Sequence, residues 1–320
     1  MIDILNLQPT TISRDLKGKY LCLYGAPKVG KTTFASQAPK SLLLAFEKGY
    51  NAISGIKAQD INKWADFKMV LKQLERPEAQ EMYDTVTIDT IGICWEMCED
   101  YICAQNMVKT IGDISWGRGY SLCKKEFESC LRKITMLGYG LIIIAHSEKR
   151  IEKDDDDSEI EYISPAIPKR ANEIVNRLVD VIGYIDSVFD EDGNSKRYLY
   201  TRNTPTVMAG SRFKYLSPKI PFGYKELAEA IGDAIEKSEK LDQAVVVNKS
   251  PLEKEKERTF EEVQDEGRVL WTKLVEDDPK NAQKVMKIVE NIFGRQMKLS
   301  EIQEEQKDLF ELVISEMKAI

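Results

Sequence analysis

The hydrophobic positions fall into short runs that alternate with stretches of helical spacing. Lys19 to Tyr24 alternates and ends at Gly25, the pattern of a strand feeding a glycine loop. A helix is predicted from near Lys31 to just before Pro39, whose ring cannot continue it. Ser41 to Phe46 reads as a short buried strand. Asn62 to Glu75 places Trp64, Phe67, Val70, Leu71 and Leu74 on one side of a helix. Thr85 to Ile88 is another buried strand, closed by Asp89. Helices are predicted over 93–108 and 122–137, separated by a glycine- and aromatic-containing loop from Ile111 to Tyr120. Leu141 to Ala145 is a third buried strand and ends at His146.

Beyond His146 the residues from Ser147 to Glu161 are charged and are expected to form a mobile loop. A helix follows over 169–178. Val181–Phe189 and Arg197–Arg202 flank Asp190-Glu191-Asp192-Gly193-Asn194-Ser195, a hairpin signal. Tyr224 to Glu236 reads as the helix that closes the domain. Strands alternating with helices imply an α/β fold with a mostly parallel sheet covered on both faces. In such sheets a ligand sits at the carboxyl ends of the strands. Gly25, Glu47, Asp89 and His146 all fall at or just after such ends. Residues 237–258 are charged without lasting periodicity and read as a linker. Residues 259–320 regain helical spacing and predict a small bundle of about three helices. The expected organisation is thus an α/β domain over 1–236, a linker over 237–258 and a helical C-terminal domain over 259–320. No internal repeat is present.

The chain has 320 residues, enough for one substantial core and an appendage. Its 42% hydrophobic and 31% charged residues suit a soluble globular protein. The longest apolar runs, 42–46 and 141–145, are far short of the roughly 18 residues that span a bilayer. Met1 to Ser13 has neither the basic flank nor the apolar stretch of a signal peptide, so a cytoplasmic location away from membranes is expected. Of the six cysteines, Cys94 and Cys98 lie four apart, and none forms a C-x-x-C pair. Buried reduced thiols are expected rather than a zinc site or disulfides. The net charge of −7 is concentrated in the tail and at Asp154-Asp155-Asp156-Asp157. Overall acidity disfavours nonspecific nucleic-acid binding but leaves room for local patches.

Gly25-Ala26-Pro27-Lys28-Val29-Gly30-Lys31-Thr32 fits the P-loop pattern G-x-x-x-x-G-K-[ST]. Its glycines allow a tight turn whose N–H groups point at phosphate oxygens, and the helix that follows, from Lys31 through Thr33, adds the positive end of its dipole. Lys31 would reach the β- and γ-phosphates and the Thr32 hydroxyl would bind Mg²⁺. No guanine-specific N-K-x-D motif is present, so ATP with Mg²⁺ is the expected ligand, with hydrolysis. Asp89, after a strand beside the loop, is placed to hold the Mg²⁺ through water. Glu47, after the strand next to the P-loop helix, is the candidate general base. His146, the only histidine, is the candidate sensor of phosphate loss. One of Arg197, Arg202 and Arg212 is expected to stabilise γ-phosphate charge, with Arg202 the first choice. Two segments are candidates for contact with single-stranded DNA. The first carries Trp116, Arg118 and Tyr120. The second carries Lys149, Arg150, Lys169 and Arg170 on the flanks of the acidic run.

The order of P-loop, Glu47, Asp89 and His146 resembles the RecA family. More closely, the chain resembles the phage AAA-domain nucleotide-binding proteins, including the RecA-like branch of the Sak single-strand annealing proteins. The residues carrying that likeness are Tyr24 to Thr32, Phe46-Glu47-Lys48-Gly49, Thr87-Ile88-Asp89-Thr90, Ile144-Ala145-His146 and Ala209-Gly210-Ser211-Arg212-Phe213. The resemblance covers roughly residues 15–235 and implies a RecA-like P-loop NTPase core. It implies ATP-dependent binding, annealing or recombination of single-stranded DNA in a phage-type system, in the cytoplasm of the bacterial host. A single-strand binding protein is an implied partner and a homo-oligomer an implied assembly. Two other readings stay open at this point: a helicase or helicase-loader ATPase, and a nucleotide-gated module that docks proteins through its C-terminal bundle.

Overall fold

A computed structural model describes residues 12–13, 16–153, 159–189, 194–242, 246–247 and 258–320. The chain divides into two compact units, Met1–Glu253 and Lys254–Ile320. The first contains, in chain order, β1 (Ile12–Ser13), β2 (Tyr20–Gly25), α1 (Lys31–Ser36), β3 (Ser41–Ala45), β4 (Lys57–Asp60), α2 (Trp64–Leu74), α3 (Pro77–Met82), β5 (Thr85–Asp89), α4 (Ile91–Gln105), α5 (Arg118–Met136), β6 (Gly140–Lys153) and β7 (Glu159–Pro165). It continues with α6 (Lys169–Leu178), β8 (Val181–Phe189), β9 (Ser195–Tyr200), β10 (Gly210–Ser211), β11 (Lys219–Pro221), α7 (Tyr224–Asp242) and β12 (Val246–Val247).

Ten strands form one sheet in the order β11-β9-β8-β2-β6-β5-β3-β4, with β10 on β8 and β7 on β6. From β8 to β4 the neighbours along this order run parallel. The pairs β8–β9, β9–β11, β8–β10 and β6–β7 are antiparallel. β1 and β12 make a separate parallel pair. Successive side chains of a strand point to opposite faces, and here both faces are covered. Cys22, Tyr24, Leu42, Leu44, Val86, Ile88, Leu141 and Ile143 join Trp64, Phe67, Trp95 and Phe127 of α2, α4 and α5. Leu21, Leu23, Ile142, Ile144 and Ile185 face the other way, against Phe34 of α1 and Leu227, Ile231 and Ile235 of α7. Double burial is why these strands read as unbroken apolar runs. All six cysteines are buried free thiols, with the Sγ atoms of Cys98 and Cys123 3.7 Å apart. Among the described residues, no helix is long and apolar enough to cross a membrane.

The structure departs from the sequence expectation in three places. The segment after His146 is a β-hairpin rather than a loop. β6 runs on past the parallel sheet to Lys153 and pairs antiparallel with β7, from Ser147 opposite Pro165 to Lys153 opposite Glu159. Its charges masked the strand signal because they are satisfied across the ladder, as in the Lys149–Glu161 pair at 2.9 Å. Asp154 to Asp157 lie outside the described residues. Helix α7 continues beyond Glu236 to Asp242, into the expected linker, and Lys214 and Tyr215 hold the Asp242 carboxylate at 2.9 and 3.0 Å. Short polar elements, namely β4, α3, β10 and β11, carry too little periodicity to be seen in sequence.

The second unit is built from α8 (Phe260–Asp277), α9 (Asn281–Phe293) and α10 (Lys307–Met317). Thr259 opens it with a reciprocal cap: Glu262 N donates to its hydroxyl and its own N–H donates to the Glu262 carboxylate. Val263, Val285, Val289, Ile302, Phe310, Val313, Ile314 and Met317 form a core of its own.

In the first unit Phe127 packs edge-on against Trp95 and face-on against Trp64, fully buried. Phe127→Ala is expected to cost about 3–5 kcal/mol. Urea unfolding followed by tryptophan fluorescence checks this, because two of the four tryptophans line the cavity it would create.

Candidate active site

The site is assembled at the carboxyl ends of four neighbouring strands, β2, β6, β5 and β3. β2 ends at Gly25, where a Cβ would lie 2.6 Å from the carbonyl oxygen of Ile185, so only glycine fits against β8. The chain then turns through an exposed Ala26-Pro27-Lys28, buries Val29, and reaches Gly30 at φ 102°, a left-handed conformation that favours glycine. α1 starts at the next residue, with Thr32 and Thr33 in its first turn.

Lys31 is only 5% exposed, and its Nζ donates to the carbonyl oxygens of Gly25 and Ala26 at 2.9 and 2.8 Å. Burial pulls this ammonium below the ordinary lysine range, against the charges of Asp89 and Glu47, which favour its protonated form. The Thr32 hydroxyl donates to Asp89 Oδ2 at 2.6 Å. Asp89 is 7% exposed, and burial raises its carboxyl above the ordinary aspartate range. The Thr32 bond and the cation of Lys31 act in the opposite direction, and Glu47 adds to the rise.

Glu47 is brought to the same place by backbone. The amides of Phe46 and Glu47 both donate to the Asp89 carbonyl oxygen, at 2.7 and 3.1 Å, so the exit of β3 is clipped to the end of β5. The Glu47 carboxylate in turn meets His146 Nε2 at 3.1 Å. With the carboxylate as acceptor, Nε2 carries the hydrogen, and Nδ1 is buried with no hydrogen-bond partner. His146 lies on β6 directly beside Gly25. Lys31, Thr32, Glu47, Asp89 and His146, spread over more than a hundred residues of sequence, thus form one cluster.

Arg202 is not part of it. Its guanidinium donates to the carbonyl oxygens of Ser211, Phe213 and Lys214 at 2.9, 2.7 and 2.8 Å, knitting the 201–214 segment together. β9 runs antiparallel to β8, so Arg202 lies toward the sheet edge opposite the P-loop. Arg212 is engaged by Asp180 at 3.0 Å. The arginine that does reach the loop is Arg197, whose Nη1 donates to the Val29 carbonyl oxygen at 3.1 Å. Sequence order ranks these arginines no differently; the antiparallel turn of the hairpin selects among them.

The two segments considered for DNA contact meet in part. Trp116 is fully exposed, at a positive φ of 61°, in a 3-10 turn ahead of Arg118 and α5. Arg170, at the start of α6, stacks its guanidinium 4.0 Å from the centre of the Tyr120 ring. Tyr120, Lys124, Lys169 and Arg170 line a cavity of about 500 Å³ shared with Gly117, Ser121 and Glu173. Lys149 and Arg150, by contrast, are engaged by Glu161 and Glu148 within the hairpin and do not line this cavity.

The profile of the AAA domain family matches residues 17–213, which spans every element of the cluster. The chain belongs to that family. It is also 30% identical to the SPbeta prophage-derived uncharacterized protein YorG of Bacillus subtilis (strain 168), over 99% of this chain and 98% of that protein. As a member of that family it carries, in Gly25 to Thr33, a nucleotide-binding loop.

The chemistry of the donor set fits a magnesium nucleotide. Lys31 is a desolvated cation whose hydrogen bonds go to backbone carbonyls of its own loop, and an incoming polyphosphate would supply the missing counter-charge. Thr32 and Asp89 present a hydroxyl and a desolvated carboxylate side by side, the oxygen ligands a hard divalent cation takes. Thr32 and Asp89 would hold Mg²⁺, which when bound would supply positive charge to offset that of the phosphates.

Three substitutions separate the roles. Lys31→Ala is expected to abolish ATP binding in a titration calorimetry run while the protein still folds. Asp89→Asn removes a carboxylate that burial disfavours, so it should melt no lower than the parent yet fail to support Mg²⁺-dependent turnover. Arg202→Ala should leave nucleotide affinity unchanged and lower the melting temperature, because it strands three carbonyls.

Proposed function

We propose that the chain is a Mg²⁺-dependent ATPase of the RecA-like type, similar to the RecA-like branch of the Sak single-strand annealing proteins. In this reading its cycle governs binding and annealing, or recombination, of single-stranded DNA. The observation that carries the reading is an unbroken line of contacts from the nucleotide loop to the aromatic and cationic cavity. Glu47 meets His146; the His146 carbonyl accepts from Ala166 N at 2.8 Å; two residues on, Pro168 takes the N-cap position of α6; and α6 places Arg170 on the Tyr120 ring, with Lys169 lining the same cavity.

In this reading Lys31 and the loop N–H groups bind the phosphates, and Thr32 and Asp89 hold the metal. Glu47 orients the attacking water and takes its proton. His146, hydrogen-bonded to Glu47, exchanges that partner as the terminal phosphate is lost and passes the change to the root of the β6–β7 hairpin. At the far end, Trp116 and Tyr120 offer π-faces for unpaired bases, while Arg118, Lys169 and Arg170 face the backbone. Lys149 and Arg150, tied to carboxylates, would contribute only if DNA displaced those partners. The acidic balance of the chain suits a local binding patch better than a coated surface. A single-strand binding protein and further copies of this chain are the partners such a role would involve, in the cytoplasm of a phage-infected bacterium.

Steady-state ATP hydrolysis with and without single-stranded DNA tests the proposal, with Lys31→Ala as the blank. Stimulation by DNA, and faster annealing of complementary strands with ATP, are expected. Hydrolysis indifferent to DNA would sink the DNA assignment. Glu47→Gln should bind ATP and turn it over roughly 10²-fold more slowly. His146→Ala should keep ATP binding and lose the stimulation, and Trp116→Ala combined with Arg170→Ala should weaken DNA binding without changing basal turnover.

A further inference from the structure

Arg197 stands against the back of the P-loop. Its Nη1 donates to the carbonyl oxygen of Val29 at 3.1 Å, and an ideal Cβ on Gly30 would lie 2.5 Å from the same nitrogen. The guanidinium lies 5.9 Å from the centre of the Phe222 ring, which itself stacks on Phe34 of α1 at 5.4 Å and would sit 3.6 Å from that Cβ. The Phe222 amide donates to the Arg197 carbonyl oxygen at 2.9 Å, so β9 and the end of β11 hold the pair in register. No carboxylate among the described residues pairs with Arg197, whereas Arg150, Arg177, Arg212, Arg258 and Arg268 each have one. Its guanidinium hydrogen-bonds the loop instead.

The peptide that joins Val29 to Gly30 is planar, and in the trans form its C=O and N–H point in opposite directions. A donor on the Val29 oxygen therefore lies behind the Gly30 N–H, which is one of the groups a P-loop turns toward phosphate. A charge-assisted bond to that oxygen fixes the peptide plane and polarises its N–H. We propose that Arg197 is a positioning residue for nucleotide binding, acting from the same chain through the Val29–Gly30 peptide and directed at the phosphate chain rather than the base. The inference rests on the nucleotide-loop reading of Gly25 to Thr32. It also gives the crowding at Gly30 a second cause beyond its φ: any side chain there would displace Arg197 and press on Phe222.

The test measures binding of ATP, ADP and inorganic tripolyphosphate, each with Mg²⁺, to the full chain and to Arg197→Ala, Arg197→Gln and Arg197→Lys, with Lys31→Ala as the reference. Loss of a charge-assisted bond predicts about tenfold weaker binding of all three ligands to Arg197→Ala. Arg197→Lys should recover part of it, since one donor remains but the planar fork does not. Arg197→Gln keeps much of the stem over Phe222, and serves if the alanine variant melts early. Equal losses for ATP and tripolyphosphate with an unshifted melting temperature support the proposal. A loss confined to ATP and ADP would place Arg197 at the base and overturn it, as would wild-type affinities in Arg197→Ala and Arg197→Gln where Lys31→Ala binds nothing. If the parent chain itself binds none of the three, the nucleotide-loop reading falls and takes this inference with it.

Discussion

Asp89 is the junction on which the site depends. Its carboxylate receives the Thr32 hydroxyl from the first turn of α1, and its carbonyl receives the amides of Phe46 and Glu47. Three separate strand ends are thereby joined at one residue that is nearly out of contact with water. Burial raises the carboxyl, so the fold holds this oxygen pair at an electrostatic cost that the Thr32 hydroxyl and the Lys31 cation offset in part. A group whose charged form the fold itself disfavours belongs to a binding site more naturally than to a stabilising ion pair.

The same edge explains how a nucleotide-dependent signal could leave the site. β6 does not stop at the carboxyl edge of the parallel sheet. It carries His146 beside Glu47 and then continues as the first arm of the hairpin. Rigid elements with two available hydrogen-bonding arrangements at one end are the physical requirement for coupling. Here the hairpin returns through Pro165 to Ala166, which is tied back to the His146 carbonyl before α6 begins. A shift of the His146 backbone would strain that closure.

The hairpin also redistributes charge. Lys149 and Arg150 are engaged by Glu161 and Glu148, whereas at the α6 start Arg170 stacks on the Tyr120 ring beside Lys169. The second unit has its own capped first helix and its own apolar core, the form of a module that folds around itself.

The sequence by itself determined the P-loop, the α/β alternation, the strand end at Asp89 and the place of His146 at the carboxyl edge of the parallel pairing, because these depend on local rules. Glycine tolerates the left-handed turn at Gly30; a doubly buried strand must be an apolar run; and the ligand edge follows from parallel topology. It also placed the three late helices, whose apolar spacing survives without knowledge of their partners. Tertiary structure decided what depends on pairing at a distance. The charged arms of β6 and β7 look like loop until cross-strand neighbours cancel their charge. Arg197 and Arg202, five positions apart, have the same local character in sequence, yet Arg197 lies on β9 and reaches the Val29 carbonyl, while Arg202 lies past the end of β9 and binds the carbonyls of Ser211, Phe213 and Lys214. Which arginine serves the nucleotide loop is set by strand direction, and strand direction is a property of the fold rather than of any local run of residues.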